Sequence, residues 1–158
     1  MTAVPNTGYQ FLNWTQNGTI VSTNASYTFT PVANTSLVAN FMLLTYQVIA
    51  TPEPVAGGII TGAGVYNYGS TATLTATPNT GYIFQDWTEN GNVLGTNPVL
   101  TLTNISASHS IIGHFIVSTN TFTVTATPNP ADGGTVTGSG NVTAGSSITL
   151  TASANTGF

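Results

Sequence analysis

Six side chains in this 158-residue chain have the chemistry to move a proton or hold a cation near neutral pH: Glu53, Asp86, Glu89, Asp132, His109 and His114. Asp86 and Glu89 stand three apart and are the pair to weigh as acid and base, since that chemistry needs two carboxyls held in different environments. His109 and His114 stand five apart. Side chains alternate along a strand, so that spacing puts them on opposite faces, and one metal ion cannot be shared unless the strand bulges. Asp132 precedes Gly133-Gly134 and reads as a turn carboxylate, with a calcium contact beside turn carbonyls as its metal chemistry. None of these makes a catalytic, cofactor-binding or metal set, and the chain reads as no enzyme.

The residues that are missing exclude more. There is no Lys, no Arg and no Cys; charged residues are 3% of the chain and the formal net charge is −4. An average soluble chain is about a quarter charged. Without cations the chain has no basic patch for a nucleic-acid backbone and no phosphate-loop lysine. It also has no amine for a Schiff base or an isopeptide bond, and no thiol for a disulfide or a metal. Disorder does not fit either, because 41% of the residues are hydrophobic and the polarity is carried by 31 Thr, 16 Asn and 12 Ser. Thr favours strands, while Asn and Gly favour turns. No run of about 20 apolar residues is present to insert in a membrane. The first residues show no basic segment followed by an apolar core.

What positions these few groups is a repeat. Pro5-Asn6-Thr7-Gly8-Tyr9 recurs as Pro78-Asn79-Thr80-Gly81-Tyr82 and, degraded, as Ala154-Asn155-Thr156-Gly157-Phe158. Trp14 maps onto Trp87, Phe41 onto Phe115, Pro52 onto Pro128, and Gly57-Gly58 with Gly62 onto Gly133-Gly134 with Gly138. Independent anchors at one spacing define a tandem repeat of about 75 residues. Asp86 and Glu89 correspond to Asn13 and Gln16 in the first copy, so the repeat does not require their charge.

The unit reads as all-β, with no significant helix: small antiparallel units in tandem. Strands are expected at Tyr46 to Thr51, Ile59 to Tyr66, Thr71 to Thr77, Tyr82 to Thr88, Val99 to Thr103 and Ser110 to Val117. In the third of these Thr71, Thr73, Thr75 and Thr77 share one face, and Ala72, Leu74 and Ala76 the other. Turns are expected at Gly8, Gly18, Gly58, Gly81, Gly91 and Gly134, with Asn90-Gly91 a strong hairpin signal. Phe84 and Trp87 are three apart. If both are core, the strand must bulge near Gln85-Asp86, and Phe11 with Trp14 demands the same near Leu12-Asn13.

The phase divides the chain into 1–44 (the C-terminal part of a first repeat), 45–118 (a complete repeat) and 119–158 (the N-terminal part of a further repeat). Two explanations stand. The chain is a segment of a longer array, or its incomplete halves complete one another, within a chain or between chains, through strand addition at open sheet edges. Addition that does not close gives a filament.

The motif Gly-Tyr-x-Phe-x-x-Trp followed by a Val-Ala-Asn-Phe strand stands here as Gly8 to Trp14 with Val38-Ala39-Asn40-Phe41. Its second copy is Gly81 to Trp87 with Gly113-His114-Phe115. With the strand Thr123 to Pro128 and Gly133-Gly134, it resembles the divergent internalin-type B-repeat over essentially the whole chain. The resemblance implies tandem modules of secreted and cell-surface proteins of bacteria and archaea, serving as spacers, stalks or adhesive modules, with no cofactor and no catalytic residues to carry over. The lack of every Lys and Arg departs from it and puts charge-mediated binding in doubt.

Within that frame Tyr9, Phe11, Trp14, Phe41, Tyr82, Phe84, Trp87 and Phe115 are expected as structural core rather than a sugar-stacking platform, because they recur at one place in the unit. Tyr66 and Tyr68 are better candidates for exposed contacts. Asn13, Asn17, Asn24, Asn34, Asn104 and Asn141 are candidate N-glycosylation acceptors. With 16 Asn and 43 Ser or Thr among 158 residues, chance alone yields about four such sites, so their number carries little weight. The Thr121, Thr123, Thr125 and Thr127 row resembles a flat ice-binding array, and is also what a solvated strand uses when charges are scarce. The sequence reads as a non-enzymatic extracellular structural module. Its expected partners are copies of itself or neighbouring repeats, with surface glycans as the adhesive alternative, and no nucleic acid. Four carboxylates leave little stability to lose on protonation.

Overall fold

In a computed structural model, which describes residues 1–157, the segments between Asn and Gly turns become strands. The first copy supplies β1 (Tyr9–Gln16), β2 (Thr19–Ser22) and β3 (Val38–Leu43). The central stretch supplies β4 (Thr45–Glu53), β5 (Gly58–Thr61), β6 (Gly64–Asn67), β7 (Ala72–Pro78), β8 (Tyr82–Glu89), β9 (Asn92–Gly95), β10 (Val99–Leu102) and β11 (His109–Val117). The last stretch supplies β12 (Thr121–Val124), β13 (Gly134–Thr137), β14 (Gly140–Thr143) and β15 (Thr151–Ala154). Among the described residues the helical content is one short 3-10 turn, Val55–Gly57. The fold is all-β. Phe158, the last residue of the degraded third motif, lies outside the described residues.

Strands pair as β2-β1-β3, as β10-β7-β5, as β6-β4-β11-β8-β9, and as the two antiparallel pairs β12-β14 and β13-β15. The repeat is legible in this pairing. Strands β1, β2 and β3 correspond in sequence to β8, β9 and β11, and they pair in the same order. Strands β12, β13, β14 and β15 correspond to β4, β5, β6 and β7, and again the partners match.

Local chemistry accounts for these elements. In β7 the alternation holds: Ala72, Leu74 and Ala76 are buried, and Thr73 and Thr77 face out. Expected strand Ile59 to Tyr66 is instead two strands, because Gly62 turns to φ 94 between them. A Cβ there would run into the Thr73 carbonyl. The Asn-Gly pairs make two-residue turns with left-handed backbone at both positions, Asn17 (φ 47) with Gly18 (φ 80) and Asn90 (φ 50) with Gly91 (φ 78). Replacing Gly91 by Ala puts a Cβ in that region and is expected to destabilise by about 1–2 kcal/mol, read as a lower urea midpoint at unchanged m-value. Gly8 and Gly81 also take positive φ. Gly58 and Gly134 differ from the turn role expected of them. Gly58 is extended (φ 177) and opens β5, and Gly134 opens β13. A Cβ on Gly134 would lie 2.5 Å from the Ser153 carbonyl, and Gly58 lies against a ring described below.

The chain packs as two units. One gathers residues 1–49, 62–74 and 101–110; the other gathers 50–61, 75–100 and 111 onward. The first buries Ala3, Trp14, Val48, Ala72, Leu74 and Ile105. In it the Tyr68 ring lies over Gly8, at a place a Cβ would fill, and Gly69 N donates to the Ile105 carbonyl at 2.8 Å. The second buries Ala76, Trp87, Ile111 and Phe115. The central repeat contributes segments to both.

Candidate functional site

The best-formed cluster of side chains lies in the second unit and is built on a bulge. Along β8 the partner of Phe84 is Phe115 and the partner of Asp86 is His114, so Gln85 is the extra residue. That insertion returns Phe84 and Trp87 to one face. Their rings lie 5.1 Å apart, tilted by 53°, and Phe84 meets Phe115 edge-on at 5.5 Å. Trp87 is fully buried and its Nε1 donates to the Asn97 carbonyl at 2.9 Å. The same bulge occurs in the first unit: Phe11 pairs with Phe41, Asn13 with Asn40, and Leu12 is extra. Phe11 lies 5.9 Å from Trp14 and 5.8 Å from Phe41. Both bulges stand where the three-residue aromatic spacing requires them.

Glycines seat these rings. A Cβ on Gly57 would lie 2.5 Å from the Phe115 Cβ, and one on Gly58 would strike the Phe115 ring and lie 2.6 Å from the Thr77 carbonyl. A Cβ on Gly113 would lie 2.8 Å from Ile60 Cδ1 and 2.9 Å from Trp87 Cζ3. The sequence marked Gly58 for a turn; its contribution is close approach. Beside the rings, His114 Nδ1 is 3.7 Å from Glu53 Oε2, and His114 Nε2 is 2.9 Å from Thr88 Oγ1.

Residues 1–44 and 119–158 each carry counterparts of half of this arrangement. In the first copy Phe41 is 39% exposed, against 2% for Phe115, and an open cleft of about 250 Å³ beside it is lined by Val4, Asn6, Tyr9 and Phe41. Tyr9 and Phe41 therefore differ from the core role expected of them. Their sequence partners among the seating glycines, Gly133 and Gly134, belong to the last copy. There an open cavity of about 560 Å³ is lined by Gly133, Gly134, Val136, Ser153 and their neighbours. The atoms nearest a Cβ position belong to Pro130 at Gly133 and to the Ser153–Ala154 backbone at Gly134. Phe11, Tyr82 and Phe84 are half-buried, whereas Trp14 is buried.

A family model described as "Divergent InlB B-repeat domain" matches residues 1–44, 46–127 and 123–158. The chain belongs to this family. No curated protein and no solved structure matches it.

The charged residues of this B-repeat chain meet in pairs, as Glu53 does His114. Among the described residues no three His, Cys, Asp or Glu side chains gather as a metal set. Asp86 and Glu89 lie in β8, His109 and His114 in β11, and Asp132 in the loop before β13. No helix among the described residues is long and apolar enough to cross a membrane. Tyr66 and Tyr68, expected as exposed, are half-buried; the Tyr66 hydroxyl donates to the Gly62 carbonyl and Tyr68 covers Gly8. Of the candidate glycosylation sites, Asn17, Asn24, Asn34, Asn104 and Asn141 are exposed. Asn13 is engaged, its Oδ1 accepting from Asn40 Nδ2 at 2.8 Å. A stacked pair outside the strands, Tyr27 and Phe29, with centroids 5.6 Å apart and planes 8° apart, had no sequence signal beyond its i, i+2 spacing. Neither did the Glu53–His114 contact, whose partners are 61 positions apart.

Proposed function

We propose that this chain is an extracellular, non-enzymatic structural module of a prokaryotic surface protein or filament. Small β-units joined in series act as a stalk or spacer. The observation that carries the reading is the serial recurrence of one B-repeat unit along the chain. What recurs between copies is packing chemistry, the bulged aromatic strand and Asn-Gly turn in the first and second and the glycine pair in the second and third, while the charged side chains change from copy to copy. The composition suits an exposed setting, since proteases that cut after Lys or Arg find no site. Antiparallel ladders suit a tensile role, because several backbone hydrogen bonds must be loaded before a unit opens.

Pulling the chain from its two ends in a single-molecule force experiment tests this. The expected trace shows discrete rupture peaks, each followed by a length gain of about 3.3–3.6 Å per residue released. Featureless stretching at low force would remove the load-bearing role.

A further inference from the structure

Successive copies of the repeat follow one another at two boundaries inside the chain. At the first, β3 ends at Leu43 and β4 begins at Thr45, with Leu44 as the whole connector. At the second, β11 ends at Val117 and β12 begins at Thr121, with Ser118-Thr119-Asn120 between them. Both connectors are bonded on either side. Leu44 N donates to the carbonyl of Gly8 in the copy before it at 2.8 Å, and Tyr68 N in the copy after it donates to the Leu44 carbonyl at 2.8 Å. At the second boundary Ser118 N donates to the Gly81 carbonyl at 2.7 Å, and Ala144 N donates to the Asn120 carbonyl at 2.8 Å. Gly8 corresponds to Gly81 and Tyr68 to Ala144, so one bonding pattern closes both boundaries. A slack linker would leave these groups to water.

Turns from adjacent copies also touch. The turn at 67–70, closed by Ser70 N donating to the Asn67 carbonyl at 3.1 Å, recurs at 143–146, closed by Ser146 N donating to the Thr143 carbonyl at 3.0 Å. Each lies against a glycine of the preceding copy. A Cβ on Gly8 would run into the Tyr68 ring. One on Gly81 would lie 3.2 Å from the Ala144 carbonyl, and one on Gly145 would lie 2.8 Å from Gly81 Cα. The first boundary fills its contact with a ring across a short connector. The second brings backbone to backbone across a longer one, with alanine in the place of the tyrosine. The residues differ and the close contact is kept, which marks the contact itself as what both boundaries require. Each compact unit contains one whole boundary: Gly8, Leu44 and Tyr68 fall in the first, and Gly81, Ser118 and Ala144 in the second. The division between units runs through the central copy instead.

We propose that the turn ending at Gly8 or Gly81 is a docking surface for the copy that follows it in the chain, recognised through that copy's turn at 67–70 or 143–146. Adjacent copies are thereby coupled and open together across a boundary. This rests on the structural reading above and adds how the modules are joined: load passes from one copy to the next through bonded, packed backbone.

Amide hydrogen exchange of the full chain tests the coupling, because a bonded amide exchanges when the structure around it opens. Gly8→Ala puts a methyl against the Tyr68 ring, whereas Gly18→Ala puts one at a similar positive φ (80 against 83) with nothing within 4 Å. The two variants share backbone strain and differ in the contact. Gly8→Ala is expected to speed exchange at Tyr68 and Gly69, in the following copy, by at least about tenfold more than Gly18→Ala does. In a Tyr68→Ala background that excess is expected to fall below about threefold. Gly81→Ala against Gly91→Ala repeats the comparison at Ala144 and Gly145, since Gly91 has φ 78 against 83 and nothing within 4 Å. Tyr68→Ala alone reads the coupling backwards, into the preceding copy, and serves even if Gly8→Ala does not fold. It is expected to speed exchange at Tyr9 and Leu44 by at least about fivefold. Equal effects of the contact and control glycines, an excess that persists without the Tyr68 ring, or a Tyr68→Ala effect confined to its own copy would each overturn the proposal. If pulling still yields rupture peaks in that case, the structural role survives and the copies act independently.

Discussion

Replacing Trp87 by Ala is expected to lower stability by about 3–5 kcal/mol, the range for truncating a buried large aromatic. The indole is fully buried, tilts against Phe84 at 5.1 Å, and touches the Gly113 site through Cζ3. No small rearrangement fills the space it leaves, because Phe84 is fixed by the bulge at Gln85 and Phe115 by the glycines beneath it. The Asn97 carbonyl also loses its donor, Trp87 Nε1 at 2.9 Å. Trp87→Phe restores most of the volume but not that donor, and is expected to recover more than half of the loss. Chemical denaturation followed by far-ultraviolet dichroism measures both. A loss under about 1 kcal/mol for Trp87→Ala would mean that the cluster is not what holds the second unit together.

The bulges at Leu12 and Gln85 were legible in the sequence, because two large aromatics three apart can share a face of a strand only if a residue is inserted between them. The alternating face of β7 was legible for the same reason: period two leaves no other arrangement for Ala72, Leu74 and Ala76. The family itself was legible, because several spaced motifs recur over the whole chain. The roles of Gly58 and Gly134 were not. A glycine that turns the chain and one that admits a close neighbour (the Phe115 ring at Gly58, the Ser153 carbonyl at Gly134) leave the same letter, and only the neighbour across the sheet tells them apart. The exposure of Tyr9 and Phe41 was hidden by the repeat itself. Equivalence by sequence assigns them the surroundings of Tyr82 and Phe115, while burial depends on which other segments are present to cover them. The site differs from the fold in this respect: contacts such as Glu53 with His114 join residues far apart in the sequence.

Gly113→Ala alone is expected to cost about 1–3 kcal/mol, since the new methyl lies 2.8 Å from Ile60 Cδ1 and 2.9 Å from Trp87 Cζ3 in a close-packed core. Ile60→Val alone removes one methyl and is expected to cost about 0.5–1.5 kcal/mol. The double variant is expected to fall short of the sum by at least about 0.5 kcal/mol, because removing Cδ1 clears the space that the alanine methyl needs. These residues re-create in one molecule the pair that the partial copies carry, Ala39 and Val136. Denaturation of the wild type, the two single variants and the double variant closes the cycle. Positive coupling would establish that Gly with Ile and Ala with Val are two solutions to one contact. Strict additivity would mean that the methyl is relieved elsewhere, by movement of Trp87 or of β11.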